Sequence, residues 1–202
     1  MHALIYSMLI DRVLQGIRIY VPEFSGMKPG DRVLDVCCGT GAQTFHYARL
    51  GIISSGIDLD PGMIEFAEKS RIKKRLPNVS FQRASALDLP FQDESFDYAS
   101  TSMALHEKEG AARDRIISEM QRVVKKDGIL VFVDYRVPYP QNAYGYFVKA
   151  AELMAGKDHF RYFRDYIKQG GLDSLLSRNH LHEEKRSHAR RMPLVIVTVR
   201  RA

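Results

Sequence analysis

RVLDVCCGTGAQT, residues 32–44, decides how the rest of the chain is to be read. Val33, Leu34 and Val36 form a short apolar run that stops at Gly39-Thr40-Gly41, and helical residues follow from Ala42. This pattern predicts a buried strand that enters a helix through a glycine turn. Such a turn lets a ligand lie against bare backbone at a helix N-terminus. Asp35 narrows the choice of ligand. A carboxylate just ahead of the glycines repels a pyrophosphate and attracts an ammonium or a sulfonium group.

The bulk numbers are those of a single globular domain. Of 202 residues, 45% are hydrophobic and 27% charged, enough for a sizeable core. No apolar run approaches the roughly 20 residues of a membrane-crossing helix. The opening MHALIYSMLIDRVLQG carries Asp11 and Arg12 in helical periodicity, which predicts an amphipathic helix and argues against a signal peptide. Cys37 and Cys38 are adjacent and would point to opposite faces of a strand, so no disulfide joins them and a reducing cytoplasm fits. Nothing has the spacing of a zinc site, and no metal is expected. The net charge is +6, with basic residues gathered at 71–75 and near the C-terminus. They are expected on a solvated helix end and hairpin rim. They are not interleaved with aromatics as a base-stacking platform requires, so no nucleic-acid partner is expected. The charge leaves peripheral contact with an anionic membrane surface open, and no oligomeric state is assigned.

Strands and helices alternate. A helix is expected over 1–20 and strand one over 32–37, then a helix over 42–50, strand two over 54–58 and a helix over 61–75 with Asp60 as its N-cap and Pro61 in its first turn. Strand three is expected over 78–82 and strand four over 97–100. A helix over 113–125 follows, and Asp127-Gly128 turns into strand five, 129–133. Helices over 141–155 and 159–178, broken at Gly170-Gly171, precede two last strands over 180–187 and 194–199. The fold class is therefore α/β: a Rossmann-like, doubly wound, seven-stranded and mostly parallel sheet with an antiparallel C-terminal hairpin. Ligands bind such sheets beyond the carboxyl ends of the strands.

Asp58, at the end of strand two, is placed to accept hydrogen bonds from ribose hydroxyls. The full dinucleotide fingerprint fails, because Thr44 takes the third glycine position, and no Gly-Lys-Ser/Thr makes a P-loop. With Asp35, the acidic pattern favours S-adenosylmethionine (SAM). The segments VLDVCCGTG, GIDLDPGMIEFAE, ALDLPFQDESFD, TSMALHE and RVVKKDGILVFVDY resemble, in order and spacing over residues 30–137, the class I SAM-dependent methyltransferases. Within these they are most similar to the small-molecule branch that includes the ubiquinone and menaquinone biosynthesis methyltransferases.

The resemblance implies roles. Asp35 faces the methionine amino group, Gly39 and Gly41 admit the methionyl part, and Asp58 holds the ribose. Leu59 and Met63 pack on the adenine face. The family's Asp-Ala pair at the adenine amino group is Ser85-Ala86 here, with Asp88 nearby as a substitute. Ser102 sits against the cofactor, and Leu105-His106 matches a Leu-His pair of the branch. His106 and Glu107 are the candidate bases, and His106 has a suitable ordinary pKa. Glu107 and Tyr135 border the acceptor, as does Tyr6 from the N-terminal helix, with Met8 and Tyr20 beside it. The chain then divides into an N-terminal lid helix (1–20), a SAM-binding core (30–137), a helical, aromatic-rich substrate lid (138–178) and an edge hairpin (179–202). The implied activity is methyl transfer to a small apolar or aromatic acceptor. The alternative is a SAM- or S-adenosylhomocysteine-binding regulator whose catalysis has degenerated. No magnesium-binding carboxylate trio of the catechol type is present.

Overall fold

The computed structural model describes residues 2–154, 156–189 and 192–201, with side chains at all of these except 2–12, 144, 147 and 201. Seven strands form one sheet: β1 (Arg32–Val36), β2 (Ile53–Asp58), β3 (Val79–Arg83), β4 (Phe96–Ser102), β5 (Val124–Tyr135), β6 (Leu181–His188) and β7 (Leu194–Arg201). Their order is β3-β2-β1-β4-β5-β7-β6. The first five are parallel, while β7 runs antiparallel to both β5 and β6. Seven α-helices accompany them among the described residues: α1 (His2–Ser25), α2 (Ala42–Arg49), α3 (Pro61–Lys74), α4 (Gly110–Val123), α5 (Ala143–Met154), α6 (Lys157–Lys168) and α7 (Gly171–Arg178).

Strand order reverses direction at β1, whose neighbours are β2 on one side and β4 on the other. A crevice opens there, beyond the carboxyl ends of the strands. The core runs along the sheet. Val33, Leu34, Val36, Val131, Phe132 and Val197 are fully buried, as strands covered on both faces must be. Asp60 caps α3 as expected, accepting from Gly62 N at 2.7 Å and Met63 N at 3.1 Å, with Pro61 in the first turn.

Three boundaries differ from expectation. Helix α1 continues past residue 20 and through Pro22, because Leu14, Ile17 and Val21 keep a buried stripe going to its end. Asp127-Gly128 is not a turn. It lies inside β5, which starts at Val124 and shifts register against β4 between Phe96 and Tyr98. Glycine is required at this bulge, since a Cβ on Gly128 would stand 2.7 Å from the Asp97 carbonyl oxygen. Strand β4 is longer than its sequence suggested, reaching Ser102 and so carrying the chain to the mouth of the crevice.

Candidate active site

Two side-chain-bearing residues sit in the left-handed region at the crevice: Cys37 (φ 59°) just after β1 and Met103 (φ 56°) just after β4. Left-handed backbone costs a non-glycine residue roughly 1–2 kcal/mol, and such strain concentrates at functional sites. Both turns fold the chain away from the sheet and leave a cavity of about 510 Å³ between them. Gly39, with φ 54°, lines it too.

Most of the expected cofactor residues meet here. Asp58 lines the cavity and accepts two backbone hydrogen bonds, from Gly39 N (2.9 Å) and Asp60 N (2.9 Å). Its carboxylate is thus held still while lone pairs remain for hydroxyl donors. Leu59 and Met63 stand beside it, and Leu59 is 63% exposed, an open apolar surface at the mouth. Ser85, Ala86 and Ser102 complete the expected wall. Ser85 Oγ already accepts Leu87 N at 3.2 Å. Asp88 is exposed and does not line the cavity, so no carboxylate stands in for the missing one.

Asp35 lies lower, against a small side chamber of about 30 Å³ that it shares with Arg18, Gly39, Thr40 and Ser102. It is 2% exposed. Thr44 Oγ1 donates to it at 2.6 Å and Ser100 Oγ at 3.2 Å. Burial pushes its carboxyl pKa up to about 6, against the opposing pull of these hydroxyls and of the Arg18 guanidinium. Arg18 was not anticipated. Its signal is the spacing Leu14, Ile17, Arg18, Val21, one buried face of α1 with a single cation in it.

Gly41 is outside both cavities. Its φ is 76°, and a Cβ there would meet the Phe81 ring at 2.4 Å. Its glycine character serves the turn and the close packing of Phe81. Tyr6 belongs to α1, but its side chain lies outside the described residues.

His106 and Tyr135 depart most from expectation: neither lines the cavity. His106 is on a 3₁₀ turn (Leu105–Glu107) after β4. Successive residues of a 3₁₀ turn project about 120° apart, so neighbours face different surroundings. Glu107 lines the cavity with Lys108, and their side chains pair at 2.8 Å. The Glu107 carboxylate beside the partly buried Lys108 ammonium raises the pKa of the amine in spite of burial. His106 instead turns inward and is 3% exposed. Its Nδ1 lies 2.7 Å from Asp134 Oδ1. Asp134 also accepts Leu105 N, His106 N and Tyr135 N. Tyr135 donates through its hydroxyl to Glu152 Oε1 at 2.7 Å, and Glu152 Oε2 is 2.5 Å from His159 Nε2. Burial disfavours a charged His106, but the Asp134, Glu152 and Glu107 carboxylates outweigh it and raise its pKa. Three aromatics of the 138–178 segment gather around this cluster. Tyr139, Phe163 and Tyr166 stack edge-on to Tyr135 or His106, and none of these three lines the cavity.

The donor set fits SAM. A carboxylate at the end of β2 is fixed by backbone, a buried carboxylate and a guanidinium line one small chamber beside the cavity, and apolar surface flanks the mouth. Asp58, Asp60 and Glu107 are the acidic residues of the cavity wall.

Strand order, crevice and motif order define a class I methyltransferase, and comparison with known proteins agrees. Residues 34–132 match the family model described as a methyltransferase domain. The chain is 38% identical over 116 residues to an uncharacterized methyltransferase of Synechocystis sp., covering 57% of this chain and 52% of that protein. It is 33% identical over 123 residues to a 2-phytyl-1,4-naphtoquinone methyltransferase of Nostoc sp., covering 59% and 53%. It thus spans about half the length of these curated relatives. The crystal structure of a SAM dependent methyltransferase from Aquifex aeolicus shares the fold, with a TM-score of 0.69 at 17% identity over 90% of this chain and 88% of that one. The chain has the fold of the SAM-dependent methyltransferases, and residues 34–132 match the methyltransferase-domain model.

Proposed function

We propose that the protein transfers the methyl group of SAM to a small aromatic acceptor of the reduced quinone type, in a reducing cytoplasm. One observation carries the reading: a single cavity at the β1/β2/β4 strand ends has the Gly39–Asp58 cradle in one wall and the Glu107–Lys108 pair in another. The quinone-type acceptor is suggested by the Nostoc relative, and the location by the free thiols of Cys37 and Cys38. When bound, SAM supplies a methyl group made electrophilic by its sulfonium.

In this reading the chain's residues bind, orient and move a proton. Asp58 takes the ribose hydroxyls, Leu59 and Met63 cover the adenine, and Ser85 and Ala86 meet its edge with a neutral hydrogen bond. Arg18 takes the carboxylate of the methionyl part and Asp35 its ammonium, while Ser102 lies against the same part. Glu107 accepts the acceptor's hydroxyl proton, Lys108 holds the carboxylate in place and steadies the oxyanion, and once the ring carbon has taken the methyl its own hydrogen leaves as the proton that restores the hydroxyl. Of the two candidate bases, this reading takes Glu107, which lines the cavity. Among the described residues no helix is long and apolar enough to cross a membrane. A lipid-like acceptor would be met at a membrane surface. The regulatory alternative draws no support from the comparisons.

Calorimetry with SAM, followed by incubation with SAM and a naphthoquinol bearing a free ring position, tests the reading. SAM binding that Asp58→Asn weakens at least tenfold, as loss of charge-assisted bonds worth about 1.5–3 kcal/mol requires, is expected. Release of S-adenosylhomocysteine that Glu107→Gln slows at least a hundredfold is the second expectation. SAM binding without turnover on any quinol or phenol would favour the regulator instead.

A further inference from the structure

Glu152 and His159 take no part in the methyl-transfer cavity, yet they lie with His106 in the densest group of metal-capable side chains among the described residues. One ligand atom from each of His106, Glu152 and His159 lies within 4.8 Å of the others. His106 is on the turn after β4, Glu152 on α5 and His159 on α6. His106 and Glu152 are 3% and 8% exposed.

The surroundings match what a bound ion needs. Asp134, gripped by three backbone N–H groups, holds His106 Nδ1 and leaves Nε2 facing Glu152 Oε1 across 3.7 Å. That gap is too long for a hydrogen bond and close to the separation of two ligands on one ion. Glu107 Oε2 stands 3.5 Å from His159 Nδ1, a second carboxylate behind a second imidazole. Carboxylates behind metal-bound imidazoles fix the tautomer and ring direction. Asp134 and Glu152 face the two imidazoles from within, and Glu107 is shared between His159 and Lys108.

We propose that His106, Glu152 and His159 bind one divalent transition-metal ion, of zinc-like preference. Two imidazoles with one carboxylate suit zinc, and magnesium and calcium favour all-oxygen sets. The remaining position takes water or the Tyr135 hydroxyl. The ion displaces the proton between His159 and Glu152, and it pins α5 and α6 onto the turn that carries Glu107. The site is thus a staple for the 138–178 segment, whose ligands come from three elements and so leave no sequence motif.

The test uses the full chain stripped of metal with a chelator, then titrated with Zn²⁺ by calorimetry and with Co²⁺ by visible absorption. One equivalent of each metal is expected. The Co²⁺ spectrum should show the d–d bands of a low-coordinate nitrogen and oxygen site without intense thiolate charge transfer, and the melting temperature should rise with Zn²⁺. Glu152→Gln and His159→Asn should each weaken Zn²⁺ binding at least a hundredfold, and Asp134→Asn ten- to a hundredfold, while His188→Asn on the exposed edge strand changes nothing. Far-UV circular dichroism checks each fold, and His159, a quarter exposed, is the substitution least able to disturb it. An aqueous-type Co²⁺ spectrum, thiolate charge transfer from Cys37 or Cys38, or equal Zn²⁺ affinity in folded His159→Asn would overturn the assignment.

Discussion

Asp35 is held where a carboxylate is costly. Its pKa is about 6 in the fold, against an ordinary 3.8. A tenfold change in proton affinity corresponds to about 1.4 kcal/mol, so keeping Asp35 ionised in the ligand-free protein costs on the order of 3 kcal/mol. The sign follows from which state holds the proton more tightly. Below pH 4 the group is protonated folded and unfolded, and nothing is lost. Between pH 4 and 6 the unfolded chain ionises first, and stability falls as pH rises; above 6 the whole cost is present. Asp35→Asn keeps an acceptor for Thr44 and a donor for Ser100, so it should stabilise the ligand-free protein by about 2 kcal/mol at pH 7.5 and by nothing at pH 3.5. SAM affinity should drop at least tenfold in the same variant. Urea melts at the two pH values check this, and equal stability at pH 7.5 would refute it. Sequence placed Asp35, Asp58 and Gly39 at the crevice because their positions follow from a local strand–turn geometry. It could not say which of His106 and Glu107 faces the cavity, because the splay of a 3₁₀ turn leaves no trace in residue types.

The elements are tied together by buried side chains whose importance the sequence hides. Arg113 on α4 is 1% exposed. Its Nε donates to Leu105 O at 3.0 Å, one terminal nitrogen to Asp165 Oδ2 at 2.9 Å, and the other to Tyr162 O at 2.7 Å. It also lies over the Tyr166 ring. One planar fork therefore joins α4, α6 and the turn carrying His106 and Glu107. Arg113→Ala strands carbonyls in the interior, each at about 1–3 kcal/mol, so a loss of about 3–4 kcal/mol is expected in chemical denaturation. Arg113→Lys should recover less than half, since a point charge cannot reproduce the fork. A loss under 1 kcal/mol for Arg113→Ala would refute the role. Helix periodicity located α4 but could not say that one of its arginines points inward. In the same way Asp127-Gly128 looked like a turn, because a bulge and a turn ask for the same residues.

At the scale of the whole molecule, the alternation of strands and helices sufficed for the sheet's class, its antiparallel end and the crevice. It could not orient the 138–178 segment, because aromatic residues at helical spacing suit a ligand wall and a packed cluster equally well. Tyr139, Phe163 and Tyr166 form the cluster, leaving α5 to rest mainly on α6 with Tyr146, Leu153 and Met154 exposed. A helix with one packing partner opens more readily than a central strand. Amide exchange should therefore divide the protein in two. In the metal-free, ligand-free state, residues 143–154 should exchange at least a hundredfold faster than β1 and β4, a gap of about 2.7 kcal/mol in opening free energy. S-adenosylhomocysteine should slow exchange at 37–41, 58–63 and 102–108, where the cavity wall is backbone, and leave α5 nearly unchanged. Zn²⁺ should do the converse, slowing 143–168 while 58–63 stays as it was. Mass-resolved exchange with each ligand alone separates the two. If Zn²⁺ protected only the Cys37–Gly41 turn, the metal would be sitting on the thiols, and the 138–178 segment would be held to the sheet by Arg113 and its aromatic packing alone.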